Sequence, residues 1–209
     1  MTPENTATGT LYVVSAPSGA GKTSLLKQLM TEIEHVATSI SHTTRKSRAG
    51  ERDGVDYHFV TVEEFKRLIA EDAFFEHAEV FGNFYGTSKT SIDDQLNSGI
   101  DVILEIDWQG ARQIRQQLPK SRSIFILPPS QKALRQRLDN RGQDDAAVIE
   151  QRMQAAKSEI SHYNEYEFLV INDDFTVAVS ELKAILMAER QKLTYQQQKY
   201  AQLLSNLLD

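Results

Sequence analysis

The sequence predicts an α/β fold on a mainly parallel sheet, with a small insertion and a helix-rich segment attached to it. Three observations predict this. Four apolar runs, at residues 11–14, 102–106, 124–127 and 168–171, are continuous rather than alternating, as expected of strands covered on both faces. The segments between them carry helical patterns, the arrangement that gives a parallel sheet. Each run is also followed by residues suited to ligands, which in such sheets gather at the carboxyl ends of strands. SAPSGAGKT follows the first run, Asp107 the second, Pro128-Pro129 the third and Asn172-Asp173-Asp174 the last.

The whole chain sets outer limits. Its 209 residues suffice for one substantial domain with small mobile insertions. The 40% hydrophobic and 25% charged content is that of an ordinary soluble globular protein. A net charge of −6 argues against a general partner for nucleic acid or anionic membrane, both of which it repels at long range. The absence of cysteine excludes disulfides and thiolate metal sites and suits a reducing compartment. The first nine residues have neither a basic nor an apolar leader region, and no apolar run approaches the roughly 18 residues of a membrane span. A cytoplasmic protein is expected.

In chain order, residues 11–26 read LYVVSAPSGAGKTSLL: a strand, a loop of small residues, then the start of a helix. This is the phosphate-cradling unit of P-loop nucleotide enzymes, usually G-x-x-x-x-G-K-[ST]. Gly19 and Gly21 remove Cβ obstruction so that successive N–H groups can turn inward, and the helix adds its positive end. Lys22 is expected to reach the β- and γ-phosphates, and Thr23 to set its hydroxyl on Mg²⁺. Ala16 stands where the first glycine is usual. A loop that holds this position at negative φ tolerates it, since only a left-handed backbone demands glycine.

Residues 38–99 differ in texture, with short aromatic-rich pieces, turns marked by Gly50, Gly54, Gly82 and Gly86, and a helical pattern at 62–69. This predicts an insertion with its own little sheet. Arg45 and Arg48, with Lys46 and Arg52 nearby, form a second basic cluster, and arginine forks bind phosphate bidentately. Tyr57 and Tyr85 can add phenolic hydrogen bonds. Glu76, in the apolar context Phe74-Phe75-Glu76, needs donors of the kind a guanine edge offers through N1–H and N2–H₂.

In the second run, alternation points Glu105 and Asp107 the same way. Two readings of Asp107 stay open: a place in the Mg²⁺ environment, directly or through water, or a strand-end acid capping the next helix. The segment 131–160 carries Lys132, Arg135, Arg137, Arg141 and Arg152, some of which can neutralise charge on a transferred phosphoryl group. The five histidines show no metal spacing, and Trp108 reads as core or a strand–helix junction. The chain closes with a helical pattern over 176–208. There Leu193, Tyr200 and Leu207 recur every seven residues, which suits packing on the chain's own core or a subunit contact.

Together, SAPSGAGKTS, SISHTTRKSRAGE, the Glu76 stretch with GNFYGTS, EIDWQGA, ILPPS, RLDNRGQ and VINDD resemble the bacterial guanylate kinases over residues 9–190. The resemblance implies a P-loop NTPase three-layer fold: core at 1–37, 100–130 and 161–209, a GMP-binding insertion at 38–99 and a helical lid at 131–160. It implies reversible phosphoryl transfer from Mg²⁺·ATP to GMP, and to dGMP, in purine nucleotide metabolism and GMP recycling. ATP binding falls to Ala16, Pro17, Ser18, Gly19, Ala20, Gly21, Lys22, Thr23 and Asn172. GMP binding falls to Ser41, Arg45, Arg48, Tyr57, Glu76, Tyr85, Thr87 and Glu105, the last where an aspartate is usual. Lys22, Arg45, Arg137, Arg141 and Arg152 take the catalytic roles, and Thr23 and Asp107 the metal. The rivals are a kinase for another nucleoside monophosphate, and a guanylate-kinase-like scaffold domain that binds peptides without catalysis.

Overall fold

The computed structural model describes residues 7–80, 82–140 and 146–209. Five parallel strands form the main sheet in the order β2-β7-β1-β8-β9. They are β1 (Leu11–Ser15), β2 (Val36–Thr38), β7 (Asp101–Glu105), β8 (Arg122–Leu127) and β9 (Phe168–Ile171). The central strand, β1, has apolar residues on both faces because both faces are covered. Tyr12 and Val14 meet Leu25, Leu26 and Leu29 of α1 (Lys22–Glu32) and Leu182 and Leu186 of α7 (Phe175–Arg190). Leu11 and Val13 meet Ile92 of α3 (Lys89–Asn97) and Ala111 and Ile114 of α4 (Trp108–Gln117). The result is three layers.

Two expectations about this sheet need correction. The polar-flanked β2 has no long apolar run to announce it, yet it pairs in parallel with β7. The continuous run of β9 does not mean burial on both sides: Leu169 and Ile171 are 47% and 42% exposed, because β9 is an edge strand backed on one face only.

A second, four-stranded sheet, β4-β3-β6-β5, lies within the 38–99 segment. It comprises β3 (His42–Thr43), β4 (His58–Phe59), β5 (Phe74–Val80) and β6 (Asn83–Ser88), with α2 (Val62–Ala70) packed on it through Phe65. The ends of the segment attach to the main sheet, Thr38 through β2 and residues 89–97 through α3. The segment after β8 holds α5 (Gln131–Asp139) and α6 (Ala146–Ile160), joined by Leu134, Leu138, Ile149 and Ala156.

The tail differs from one continuous helix. The chain turns after α7 into α8 (Leu193–Lys199) and α9 (Ala201–Leu208), so the seven-residue repeat of Leu193, Tyr200 and Leu207 does not run along a single helix. Leu203 and Leu207 are exposed.

At the amino end of the sheet, Asp101 is buried and accepts from the Thr10 amide at 2.6 Å and from Arg190 Nε at 2.8 Å. This ties β1, β7 and the end of α7 together. Asp101→Ala leaves the partly buried Arg190 guanidinium without its carboxylate and held only by the Glu34 and His35 carbonyls, and urea unfolding is expected to show a loss of roughly 3 kcal/mol. A loss below about 1 kcal/mol, the worth of an exposed pair, would contradict this role.

Candidate active site

The loop between β1 and α1 is held open by its glycines. Gly19 and Gly21 have φ of 90° and 93°, conformations that a Cβ would strain. Ala16 is not at positive φ, which among the described non-glycine residues is found at His35 and Asp72, so alanine costs the loop nothing there. Pro17 and Ala20 are buried, and the Ala20 amide donates to the Pro17 carbonyl at 3.0 Å. Helix α1 starts at Gly21 with no side-chain cap, whereas Thr61, Asp107, Ser130 and Asp174 cap α2, α4, α5 and α7. Its first N–H groups and its positive end therefore face outward for an anion.

The loop is buttressed from two sides. A Cβ on Gly19 would strike Leu138 of α5 at 2.9 Å. Arg137 donates to the Ala20 carbonyl at 3.3 Å and to the Asn172 carbonyl at 2.8 Å, while Asn172 Nδ2 donates to the Ala20 carbonyl at 2.7 Å. Arg137 and Asn172 thus join the loop to the end of β9. Beside them a cavity of about 240 Å³ is lined by Gly21, Ser24, Arg137, Asn172, Asp173 and Phe175. Phe175, 43% exposed, supplies an aromatic wall that the sequence reading missed because it falls in an ordinary helix start.

The carboxylates of the EID stretch divide their work. Glu105 Oε2 accepts the Thr23 hydroxyl at 2.8 Å. Asp107 instead caps α4, with Oδ1 on the Gly110 amide at 2.9 Å and Oδ2 on Gln109 at 3.0 Å. The capping reading of Asp107 describes this structure, and it is Glu105 that touches Thr23. Trp108 sits at the strand–helix junction and stacks on His162, with ring centroids 3.8 Å apart. Among the described residues, no group of three or more His, Asp or Glu could hold a metal ion.

The second sheet gathers the other candidates. Arg45 is fixed by Glu51, both of whose carboxylate oxygens accept from Arg45 Nη2 at 2.8 and 3.0 Å, and by the Lys46 carbonyl, which accepts from Nη1; its guanidinium lies 5.3 Å from the Tyr57 ring centre. Glu51 also accepts the Arg48 amide at 2.7 Å, closing the turn that presents the exposed Arg48. Glu51 escaped the sequence reading; its only local signal is an acid three residues after Arg48 in a polar turn. Tyr57 and Tyr85 meet edge to face. Burial first, then the charge of Glu105, raises the Tyr57 phenol above its ordinary range. The Ser41 carbonyl accepts the His58 amide at the start of β3.

Glu76 and Thr87 are cross-strand partners in the β5–β6 register, and the Thr87 hydroxyl donates to Glu76 Oε1 at 2.5 Å. Glu76 is 3% exposed and packs against Gly110, where a Cβ would lie 2.4 Å from Oε2. Gly110, which the sequence reading passed over, therefore gives the carboxyl its room. Burial pushes the Glu76 carboxyl up to about 7 from 4.5; the Thr87 bond opposes the rise and Asp107 adds to it. With the folded value raised, its stabilising contribution is whole below about 4.5 and lost as pH rises through about 7, a change of about 3 kcal/mol. Urea unfolding at pH 5 and pH 8 is expected to show a larger loss for the wild type than for Glu76→Gln. Parallel losses would remove Glu76 as the cause.

Of the remaining sequence candidates, Arg152 stands in α6 and Arg141 lies outside the described residues.

Fold and site define a class: a P-loop nucleotide kinase, with a phosphate loop at the carboxyl end of β1 and a second sheet that carries Arg45 and Arg48. The guanylate kinase family model matches residues 8–189. A guanylate kinase of Vibrio cholerae serotype O1 is 59% identical over 202 residues, covering 96% of this chain and 98% of that protein. One from Saccharophagus degradans is 57% identical over 203 residues, covering 97% and 99%. Among solved structures, a guanylate kinase from Anaplasma phagocytophilum superposes with a TM-score of 0.74 at 37% identity, covering 90% of each chain. The chain belongs to the guanylate kinase family.

Proposed function

We infer that the protein transfers the terminal phosphoryl group of ATP to GMP, and to dGMP, giving ADP and the nucleoside diphosphate. The observation that carries this reading is that the second sheet seats Glu76 against Gly110 of α4, a helix whose cap, Asp107, lies two residues beyond Glu105, and Glu105 holds the Thr23 hydroxyl of the donor loop at 2.8 Å.

Such a transfer needs positioning and charge stabilisation more than covalent help. Residues 16–23 cradle the donor phosphates through their amides and the end of α1, and Lys22 places its ammonium on the transferred group. The cavity beside Asn172 and Phe175 takes the donor base, with Arg137 tying it to the loop. Arg45 and Arg48, with Tyr57 and Tyr85, hold the acceptor phosphate, and Glu51 fixes the Arg45 fork in one orientation. Glu76, Thr87 and Ser41 read the guanine, with Glu105 between acceptor and donor. Arg137, Arg141 and Arg152 serve the charge on the transferred group.

Thr23 and Glu105 offer hard oxygen donors of the kind Mg²⁺ takes, and their small number suits an ion that keeps waters and substrate phosphates. Asp107 is a further candidate, directly or through water. When bound, Mg²⁺ neutralises charge on the β- and γ-phosphates.

No helix among the described residues is long and apolar enough to cross a membrane, and the reading sets the enzyme in the cytoplasm with its substrates. A subunit contact through the exposed leucines of α8 and α9 completes the proposal; size exclusion with light scattering, on the full chain and on a truncation at Arg190, tests it.

The activity is tested by coupled ADP release with GMP, dGMP, AMP, UMP and dTMP as acceptors. GMP and dGMP are expected to support turnover far above the others. Preference for another base would refute the acceptor, and no ATP binding by calorimetry would favour a non-catalytic scaffold domain.

A further inference from the structure

We propose that Glu159, in the last turn of α6, is a positioning residue for the donor phosphates: an internal anion held on the Ser18 amide of the phosphate loop that yields to the nucleotide. The proposal rests on the donor reading given above. Glu159 Oε2 accepts the Ser18 amide at 3.1 Å, a contact spanning 141 residues of sequence that fastens α6 to the loop. Burial pushes the Glu159 carboxyl up; the Ser18 amide and Lys22 pull the other way, and Asp107 adds to the rise. The carboxylate is therefore bound to an amide of the loop that follows β1.

A phosphate and a carboxylate cannot both use this corner well. They compete for the same positive groups, and two anions side by side in partly buried surroundings repel. Glu159 satisfies the Ser18 N–H, and the Lys22 charge favours its ionised form. A triphosphate that takes those groups pushes Glu159 away, and the end of α6 with it. Arg152 lies seven residues earlier in the same helix, two turns away on the same face. Departure of the anion and readjustment of the arginine thus belong to one rigid element, which links occupancy of the loop to the position of α6.

A fixed strut would make the opposite prediction about ATP, and this separates the two roles. Glu159→Gln keeps the volume and an oxygen acceptor for Ser18 but removes the competing charge. Calorimetry with ATP and Mg²⁺ is expected to show a Kd about ten-fold lower than wild type, near the low end of one charge-assisted hydrogen bond, with the KM for GMP unchanged. A weaker or unchanged ATP affinity overturns the proposal. If the Gln variant melts too low to titrate, Glu159→Ala is judged by the same criterion. Wild type that binds no ATP overturns both this proposal and the donor reading, whereas equal binding by wild type and variant overturns only the role of Glu159.

Discussion

Lys22→Ala is expected to lower kcat by about 10²–10³-fold or more while leaving the unfolding midpoint close to wild type. The large loss follows from where the ammonium stands. Lys22 is the first residue of α1, at the open end of a loop whose amides face the same ligand. On the proposed reading, removing it takes away the positive charge that serves the group carrying charge in the transition state, and no neighbouring lysine lies in the loop to replace it. The small stability effect follows equally. Lys22 is only half-buried and lies outside the packed residues of α1, so its truncation falls among surface substitutions of about ±0.5 kcal/mol. Steady-state rates and thermal melts on one preparation check both. Near-normal turnover would refute the donor loop, and collapse of the melt would make the rate uninformative.

The second large effect is on base selection. Glu76→Ala is expected to reduce kcat/KM for GMP by about 10²–10⁴-fold while changing AMP turnover little, because a site built to hydrogen-bond a ligand loses far more than one that merely encloses it. The geometry is specific. Thr87 occupies one carboxyl oxygen and Gly110 leaves space beside the other, so Glu76 is oriented before any ligand arrives. The buried carboxyl costs the folded protein stability at neutral pH, a strain that a guanine donor edge would relieve by favouring the ionised form. An unchanged GMP-over-AMP preference would show that the base is read elsewhere.

The core sheet was largely legible because β1, β7 and β8 are buried on both faces and write that burial as unbroken apolar runs. The phosphate loop was legible for a related reason: its φ values require glycine at Gly19 and Gly21, and its chemistry requires Lys22 and Thr23. What escaped were features set by distant partners. Gly110 matters only because Glu76 folds against it, and Glu51 only because it turns back on Arg45. Glu159 meets Ser18 across nearly the whole chain, which no local spacing announces. The contact between Glu105 and Thr23 has the same origin. Alternation puts Glu105 and Asp107 on one side, but the start of α4 claims Asp107 as its cap, and only the longer Glu105 side chain is left to reach Thr23. The tail misled for another reason: a heptad of apolar residues reads as one helix until the chain turns at Tyr200.

The central claim is that the loop and the second sheet form the two halves of one transfer site. Phosphorus-31 NMR of ATP and GMP mixed with Mg²⁺ and a catalytic amount of the protein tests it most directly. The account predicts that the GMP resonance is replaced by those of a diphosphate, with ADP and GDP appearing together and no inorganic phosphate. Release of inorganic phosphate with GMP untouched would contradict it.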